Sequence, residues 1–550
     1  MSQEKEDTPV TVTNVTSSES DHIEINKDNE SHPELKQSLW QGLRTHTRLS
    51  LWGIFISSVA ICMGYEMVFV GGITTVPAFT AVYGIPINPP PQATADDPNP
   101  DPNFVAAVWI SLWAVSHPFG AAIGSILGGF AQDKIGRRYT LGIATVWQAA
   151  CITICFLSDR APTVDTRGAL YFAGKVLQGV GIGALMATAH TYISEVLPPS
   201  LKGSITSLIA PFGLLGQVFG SVAVKIANKG TSPQAYRLAI AGQWITTVLP
   251  LLVVIFLPES PVYSIRKDRL DAARAACDRL QGRSSRAIDD MYTRVRALVT
   301  SQDQNRAQAK AIKYSDLFKK RSDARRTLII FFIMAVPQLL GLPILGHANI
   351  IAVNLGMQAT KAATFVIIGA VLGLIAAFLA FPLLAKVGRR TILLSSVSIV
   401  TVLWFAMGIA GCFRYQNSVA VASAVVGLFM VIVFFLSLGA WPISYAIAGE
   451  TSSLPLRAKS QGVAWASSQL STAIIAVFSP FLYNQDAANL GGKIGFVFFS
   501  FSFISLVIAW LFVPETKGLD VEEIDRVYER PAVVIGKGAE ISRSRRGTSV

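Results

Sequence analysis

The chain has 550 residues, is 51% hydrophobic and only 15% charged, and its mean hydropathy of +0.45 is too high for a soluble protein of this size. The net charge of +12 follows from basic residues gathered between apolar stretches, so nucleic-acid binding is an unneeded reading. No catalytic Ser-His-Asp set, metal box or phosphate loop appears, so neither an enzyme nor a bound cofactor is expected.

The first 40 residues carry nine acids and no apolar run, and read as a disordered tail rather than a signal peptide or membrane helix. Asn14-Val15-Thr16 and Asn29-Glu30-Ser31 are sequon-like but sit on that tail. A membrane-spanning helix needs roughly 20 apolar residues. Such stretches lie near 50–72, 105–129, 139–158, 168–193, 204–226 and 237–257, then 327–350, 362–385, 391–412, 419–446, 461–484 and 495–513. Twelve in succession predict an all-α membrane protein built on two groups of six. The loop after the first stretch, Pro89-Pro90-Pro91 through Asp96, Asp97 and Asp101, has no Lys or Arg. The loops after the second and eighth hold Lys134, Arg137, Arg138 and Lys386, Arg389, Arg390, and the segment 258–326 carries 17 basic against nine acidic residues. The positive-inside rule therefore places both termini and the central segment in the cytoplasm. Arg269 to Leu280 reads as an amphipathic helix, with Leu270, Ala273, Ala276 and Cys277 on its apolar face. The five cysteines (62, 151, 155, 277, 412) show no metal spacing and read as packing residues. Phe498-Phe499-Ser500-Phe501 is expected to face lipid, and the short basic tail after Ile524 has no lipidation box. The expected division is a tail at 1–48, a six-helix bundle at 49–257, a cytoplasmic loop at 258–326, a second bundle at 327–513 and a tail at 514–550.

Three charged signposts occur twice in the same order. Gly136-Arg137-Arg138 recurs at Gly388-Arg389-Arg390, an offset of 252; Glu195 with Lys202 recurs as Glu450 with Arg457, an offset of 255; Pro258-Glu259-Ser260 recurs as Pro514-Glu515-Thr516, an offset of 256. They point to two copies of a six-helix unit, the plan by which secondary transporters build a site that faces either side in turn. The run 128–138 reads as a tight turn in which Gly129 permits close packing and Asp133 caps the next segment. Asp133, Arg137, Arg138, Glu195, Arg389, Arg390, Glu450 and Arg457 are expected to form a cytoplasmic charge network suited to an interdomain clasp that holds the inside shut. A single surface ion pair contributes about 0–1 kcal/mol, whereas a network biases a two-state equilibrium.

These residues resemble the sugar porters of the major facilitator superfamily over about 50–526. The resemblance rests on Gly64-Tyr65-Glu66, the Asp133 to Arg138 loop, Tyr192-Ile193-Ser194-Glu195 with Pro198 and Gly203, Pro258-Glu259-Ser260-Pro261, and Pro514-Glu515-Thr516-Lys517-Gly518. Phe212 to Gln217 and Gln243-Trp244 further resemble the fungal α-glucoside, maltose-type permease branch. The resemblance implies the major facilitator fold, two six-helix bundles with rocker-type alternating access, a central solute site, a monomer, and a plasma membrane as the default location. The chain also departs from the family. Ala385 replaces an Asp, Pro337 the first of a Gln pair ending at Gln338, Pro343 a sugar-contacting Asn, His347 a Tyr and Ala210 a Gln, while Gln217 is kept. Tyr445 stands where a Trp is frequent, and Ser468-Gln469 where a Gln-Trp pair is common. A thinned ring of amides suits a larger or less polar solute than a monosaccharide.

An acidic residue within a membrane helix is a functional hypothesis by default. Glu66 sits where proton-coupled members of the family carry an Asp, and the position of their partner Arg is Lys175. Glu66 and Lys175 are read as the proton switch of a symporter, the alternative being a static pair that only fastens the first and fourth helices together. Gln217, Gln338, Tyr445 and Gln469 are the candidate solute ligands, with Trp441, Trp465 and His190 as secondary ones; a Gln or Tyr in a membrane helix also simply bonds its neighbour in many proteins. The sequence thus implies a proton-coupled importer of a sugar or glycoside, with partners limited to solute, proton and lipid bilayer. The competing functions are a same-fold carrier of a non-sugar metabolite, in or out, and a nutrient sensor that signals through its tails.

Overall fold

The computed structural model describes residues 44, 46–88, 101–198, 201, 205–230, 232, 234–282, 288–297, 299–300, 315–413, 419–452, 456–517 and 521–529, without the side chains at 385, 419, 457–459, 461, 521, 522 and 525. Most of both tails, the sequon-like sites, Lys202, Gly203 and the side chain of Arg457 lie outside the described residues.

Among the described residues, twelve helices are long and apolar enough to cross a membrane. In the first half they are α1 (Thr47–Ile73), α2 (Ala107–Ile135), α3 (Arg137–Arg160), α4 (Val164–Val196), α5 (Ile205–Lys229) and α6 (Ala235–Phe256). In the second they are α7 (Arg321–Leu345), α8 (Ala359–Leu384), α9 (Arg389–Ala410), α10 (Ala420–Thr451), α11 (Gly462–Tyr483) and α12 (Gly491–Phe512). Each coincides with one of the apolar stretches read from the sequence, the ends differing by a few residues. An even number of crossings leaves α1 starting and α12 ending on one face, here the terminal face; the other is the opposite face.

Hydrophobicity does not hold apolar helices together in lipid, so small residues that let backbones touch do much of it. Gly120, Gly124 and Gly128 recur every fourth residue along α2 and lie against α4: a Cβ added at Gly124 would sit 2.0 Å from Val180 O, and one at Gly183 2.2 Å from Ala121 O. On α1, a Cβ at Gly64 would sit 1.7 Å from Gly213 O of α5. In the second half α9 and α12 also meet through glycine, a Cβ at Gly495 falling 2.4 Å from Gly408 N, and aromatic packing adds to it. Trp404 of α9 is fully buried between Phe429 and Phe498, stacking on the latter at 4.9 Å. Phe498 therefore does not face lipid as its run of aromatics predicted: it lies on the face of α12 that meets α9, while Ser500 is exposed.

On the opposite face, a short helix, Pro77–Tyr83, and an antiparallel pairing of Ile85–Pro86 with Asn103–Phe104 close the end of the first half. Phe79 and Tyr83 stack at 4.4 Å and meet Trp113, Tyr171 and Tyr236 edge-on or tilted. The two halves are joined there. Ala107 N donates to Asp486 Oδ2 at 2.9 Å, Asn484 Nδ2 to Val105 O at 2.9 Å and Ser111 Oγ to Val477 O at 3.0 Å. A Cβ at Gly71 of α1 would sit 2.5 Å from Gly346 O, just beyond α7.

The central segment contains the helix Leu270–Gln281, which buries Ala273, Ala276, Cys277 and Leu280. Leu270, read as part of that face, is exposed, because the apolar stripe runs one turn further towards Leu280. Burial pushes the Cys277 thiol up to about 11, in keeping with a packing role.

Gly64→Ala is expected to cost about 1–3 kcal/mol through overpacking, whereas Gly213→Ala, whose Cβ would meet only Met63 Cε at 3.8 Å, should be near neutral. Thermal unfolding in detergent checks this, and equal melting of the two variants would contradict the glycine seam.

Candidate functional site

A polar network lies inside the first half. Glu66 sits in the second part of α1, after the turn at Ser58 and Val59, and is 3% exposed. Lys175 reaches it from α4, with Nζ donating to Glu66 Oε1 at 2.6 Å. The same ammonium donates to Gln178 Oε1 at 3.2 Å and lies 4.9 Å from the Phe69 ring centre and 5.4 Å from that of Tyr171. Gln178 Nε2 donates to Glu66 Oε2 at 3.2 Å and to Gln243 Oε1 of α6 at 2.8 Å. All four polar side chains are buried. A lone buried charge is strongly unfavourable, and a buried pair is retained only where further hydrogen bonds satisfy both partners; the two glutamines supply them. Gln178, absent from the sequence-derived site, lies one turn after Lys175 and so shares its helix face. Gln243 carries no such local signal.

The candidate solute ligands divide into two groups. Gln338 of α7 is buried and donates to Ser468 Oγ of α11 at 3.4 Å. Tyr445 of α10 neighbours Ser468 and Trp441, and its ring lies 5.6 Å from Trp465, which in turn lies 6.0 Å from His190 of α4. The structure thus joins Gln338, Ser468 and Tyr445 in the second half and reaches the first through Trp465 and His190. Tyr445 is 39% exposed within this set. Gln217 stands apart on α5, its amide 3.9 Å from Met67 Sδ of α1. Gln469 is half-buried and makes no side-chain hydrogen bond among the described residues. Just ahead of Tyr445, α10 widens into a π turn at Leu436–Ala440. Ser396 of α9 fastens it, its hydroxyl donating to Phe435 O at 2.9 Å and accepting from Ala440 N at 3.0 Å. Such turns re-aim the residues that follow.

On the terminal face the repeated signposts form the same construction twice. Arg137 donates through Nε to Glu195 Oε2 at 3.1 Å and through Nη2 to Glu195 Oε1 at 2.7 Å, and through Nη1 to Gln132 O at 2.9 Å. Arg389 donates through Nε to Glu450 Oε1 at 3.1 Å and through Nη1 to Leu384 O at 3.2 Å. Glu259 accepts from Arg137 N at 2.9 Å and also from Arg138 N; Glu515 accepts from Arg389 N at 2.8 Å and from Arg390 N at 3.2 Å. Ser260 and Thr516 hydroxyls complete the pattern by donating to Glu195 and Glu450. The recurring Pro-Glu-Ser/Thr thus has a physical reason: its Glu satisfies the free N–H groups at the start of α3 or α9.

Two expectations are corrected here. Asp133 does not cap α3; Glu259 does, and Asp133 instead contacts Arg137 Nη2 at 3.3 Å with its own side chain 54% exposed. Nor do the two described pairs bridge the halves in this structure. Arg137–Glu195 joins α3 to α4 and Arg389–Glu450 joins α9 to α10, each within one half, because each guanidinium starts one helix and its carboxylate ends the next. Arg138 donates to Val254 O and Ile255 O of α6, and Arg390 to Trp510 O of α12, so each second arginine ties its helix to the last of its own half.

The family model described as "Sugar (and other) transporter" matches residues 52–528. The chain belongs to that family. It is 30% identical over 513 residues to MFS transporter fmqE of Aspergillus fumigatus, covering 90% of each chain. It is 27% identical over 491 residues to alpha-glucosides permease MPH3 of Saccharomyces cerevisiae, covering 88% of this chain and 78% of that one. To maltose permease MAL61 of the same species it is 26% identical over 494 residues, covering 89% and 77%. Its fold matches the inward-open xylose transporter XylE of E. coli with a TM-score of 0.68 at 20% identity, covering 88% of this chain and all of that one. The all-α architecture of twelve membrane helices is therefore the major facilitator fold.

The two copies of the terminal-face construction differ in burial: side chains are 2% and 7% exposed for Arg137 and Glu195, 22% and 31% for Arg389 and Glu450. Glu195→Ala should cost about 3–5 kcal/mol by stranding a buried guanidinium, and Glu450→Ala only about 1 kcal/mol. Thermal unfolding in detergent reads the difference; a larger loss for Glu450→Ala would overturn it.

Proposed function

We propose that this member of the family is a proton-coupled importer of a sugar, with an α-glucoside of the maltose type as the leading solute. The observation that carries the reading is the Glu66–Lys175 pair, a carboxylate inside the membrane whose nearest partner is a single ammonium. Protonation of Glu66 from outside releases Lys175 and lets solute bind between the halves around Gln338, Tyr445, Gln217 and Gln469. The outer ends then close and the cytoplasmic side opens. Loss of the proton re-forms the pair and resets the carrier. The basic segment between the halves supports a cytoplasmic terminal face, with the protein in the plasma membrane. In that orientation the contacts between Ala107, Asn484 and Asp486 and between Gly71 and Gly346 seal the outside. The names of the yeast permeases support the choice of solute. The terminal-face networks act inside each half, keeping each six-helix bundle rigid as the two rock.

A second reading, transport of a non-sugar metabolite, is favoured by one set of observations: Pro343, Ala210 and Ser468 stand where the family carries amides, and Tyr445 and Trp465 offer rings instead.

Uptake of labelled maltose and glucose by cells lacking their own carriers, with and without a proton uncoupler, separates these readings. Uncoupler-sensitive accumulation of either sugar is expected. No uptake of either by protein present at the surface would transfer the assignment to a non-sugar metabolite. In the same cells Glu66→Gln should abolish uphill accumulation while leaving solute exchange within about threefold of the unmodified protein, since only coupled steps need the proton; full accumulation by the variant would reduce the pair to a static fastener.

A further inference from the structure

The two glutamines around Glu66 and Lys175 are arranged so that they read the charge on the carboxyl. An amide has one acceptor oxygen and two N–H donors. Gln178 uses all three: Oε1 accepts from Lys175, and Nε2 donates to Glu66 Oε2 and to Gln243 Oε1. This saturation suits a carboxylate at Glu66 and an ammonium at Lys175. Gln243 Nε2, buried on α6, has no partner among the described residues.

With a proton on Glu66, its carboxyl must donate, and both groups that face its oxygens are donors. A half-turn of the Gln178 amide removes the conflict. Oε1 then accepts the Glu66 hydroxyl, and Nε2 turns onto Lys175, whose ammonium finds no acceptor there and is displaced. The oxygen now facing α6 also accepts from Gln243 Nε2 once that amide turns in step, so the donor left alone in the ionised state gains a partner. We propose that Gln178 and Gln243 are positioning residues that form a two-amide switch, making protonation of Glu66 incompatible with its ion pair and carrying the change from α4 to α6. The other titratable side chains in electrostatic reach of Glu66 are His117 on α2, Cys155 on α3, Tyr171 on α4 and Tyr65 on α1 itself; α5 meets this part of α1 through glycines. The hydrogen bonds to the carboxylate come from Lys175 and Gln178.

This inference rests on the proton-coupled reading, and the test separates the two without needing the solute. The full chain, purified in detergent, is titrated with infrared detection of the protonated-carboxyl band that Glu66→Gln removes. Gln178→Met and Gln243→Met keep side-chain bulk and lose the amide; Gln178→Asn, which withdraws the amide by one methylene, substitutes should the first fail to fold. Both single variants should displace the midpoint by about one pH unit or more, tenfold in proton affinity, although Gln243 does not touch Glu66. The double variant should move it no further than Gln178→Met alone, as expected for residues acting in series. An unmoved midpoint in Gln243→Met, or additive shifts, overturns the switch and leaves Glu66 as a proton site. If Glu66→Gln removes no titrating band, proton coupling through Glu66 fails and the switch with it.

Discussion

Burying a carboxylate and an ammonium against each other inside a membrane bundle is the constraint around which the first half is organised. Neither Glu66 nor Lys175 could stay ionised there alone, so α1 and α4 must hold their relative depth for the pair to form. Glycines make that possible. The close approach of α1 to α5 at Gly64 and Gly213, and of α2 to α4 at Gly124 and Gly183, fixes both helices by backbone contact rather than by adjustable side chains. Above the pair, the cluster of Phe79, Tyr83, Trp113, Tyr171 and Tyr236 fills the end of the half, and its Tyr171 ring also faces the Lys175 ammonium. Packing and electrostatics therefore share residues, which is how an event at one carboxyl can be felt by several helices.

The terminal face shows the same economy in duplicate. Arginine at the start of one helix, glutamate at the end of the next and a Pro-Glu-Ser/Thr after the last helix of the half combine into a single knot in each bundle. The knot satisfies helix-end N–H groups that would otherwise be bare near the apolar layer. Duplicate construction does not mean equal stability. The first copy is sealed from solvent and the second is partly open, so the same residues hold the first bundle more firmly than the second.

Much of this was legible in the chain. Twelve apolar stretches and three duplicated signposts led to two six-helix units because spanning length and repetition survive in sequence without help from tertiary contacts. Glu66 stood out because an acid in a membrane helix has no inexpensive structural role. What the sequence hid depended on which residue meets which across helices. The partner of Arg137 is in its own half, a fact of packing that charge alone cannot reveal, and Asp133 lost the cap of α3 to Glu259, over 120 positions away. Gln178 was recoverable from its spacing to Lys175; Gln243 was not, since it joins the network only through the crossing of α4 and α6. Phe498 looked like its aromatic neighbours, yet it alone of them stacks on Trp404 and is fully buried, while Phe499 and Phe501 are half-buried.

The seam on the opposite face is where the two halves meet most directly. Beneath Gly71 and Gly72 lie His347 and Asn349, with the Tyr483 ring 6.0 Å from that of His347, and all three are buried. His347 Nδ1, both polar atoms of the Asn349 amide and the Tyr483 hydroxyl have no partner among the described residues. Closure is favoured by the backbone contact at Gly346 and by the hydrogen bonds linking Ala107 and Val105 to Asp486 and Asn484. In the proposed cycle this is the seam that must part, and a proton or a solute can drive it only by as much as its affinity differs between the closed and open states.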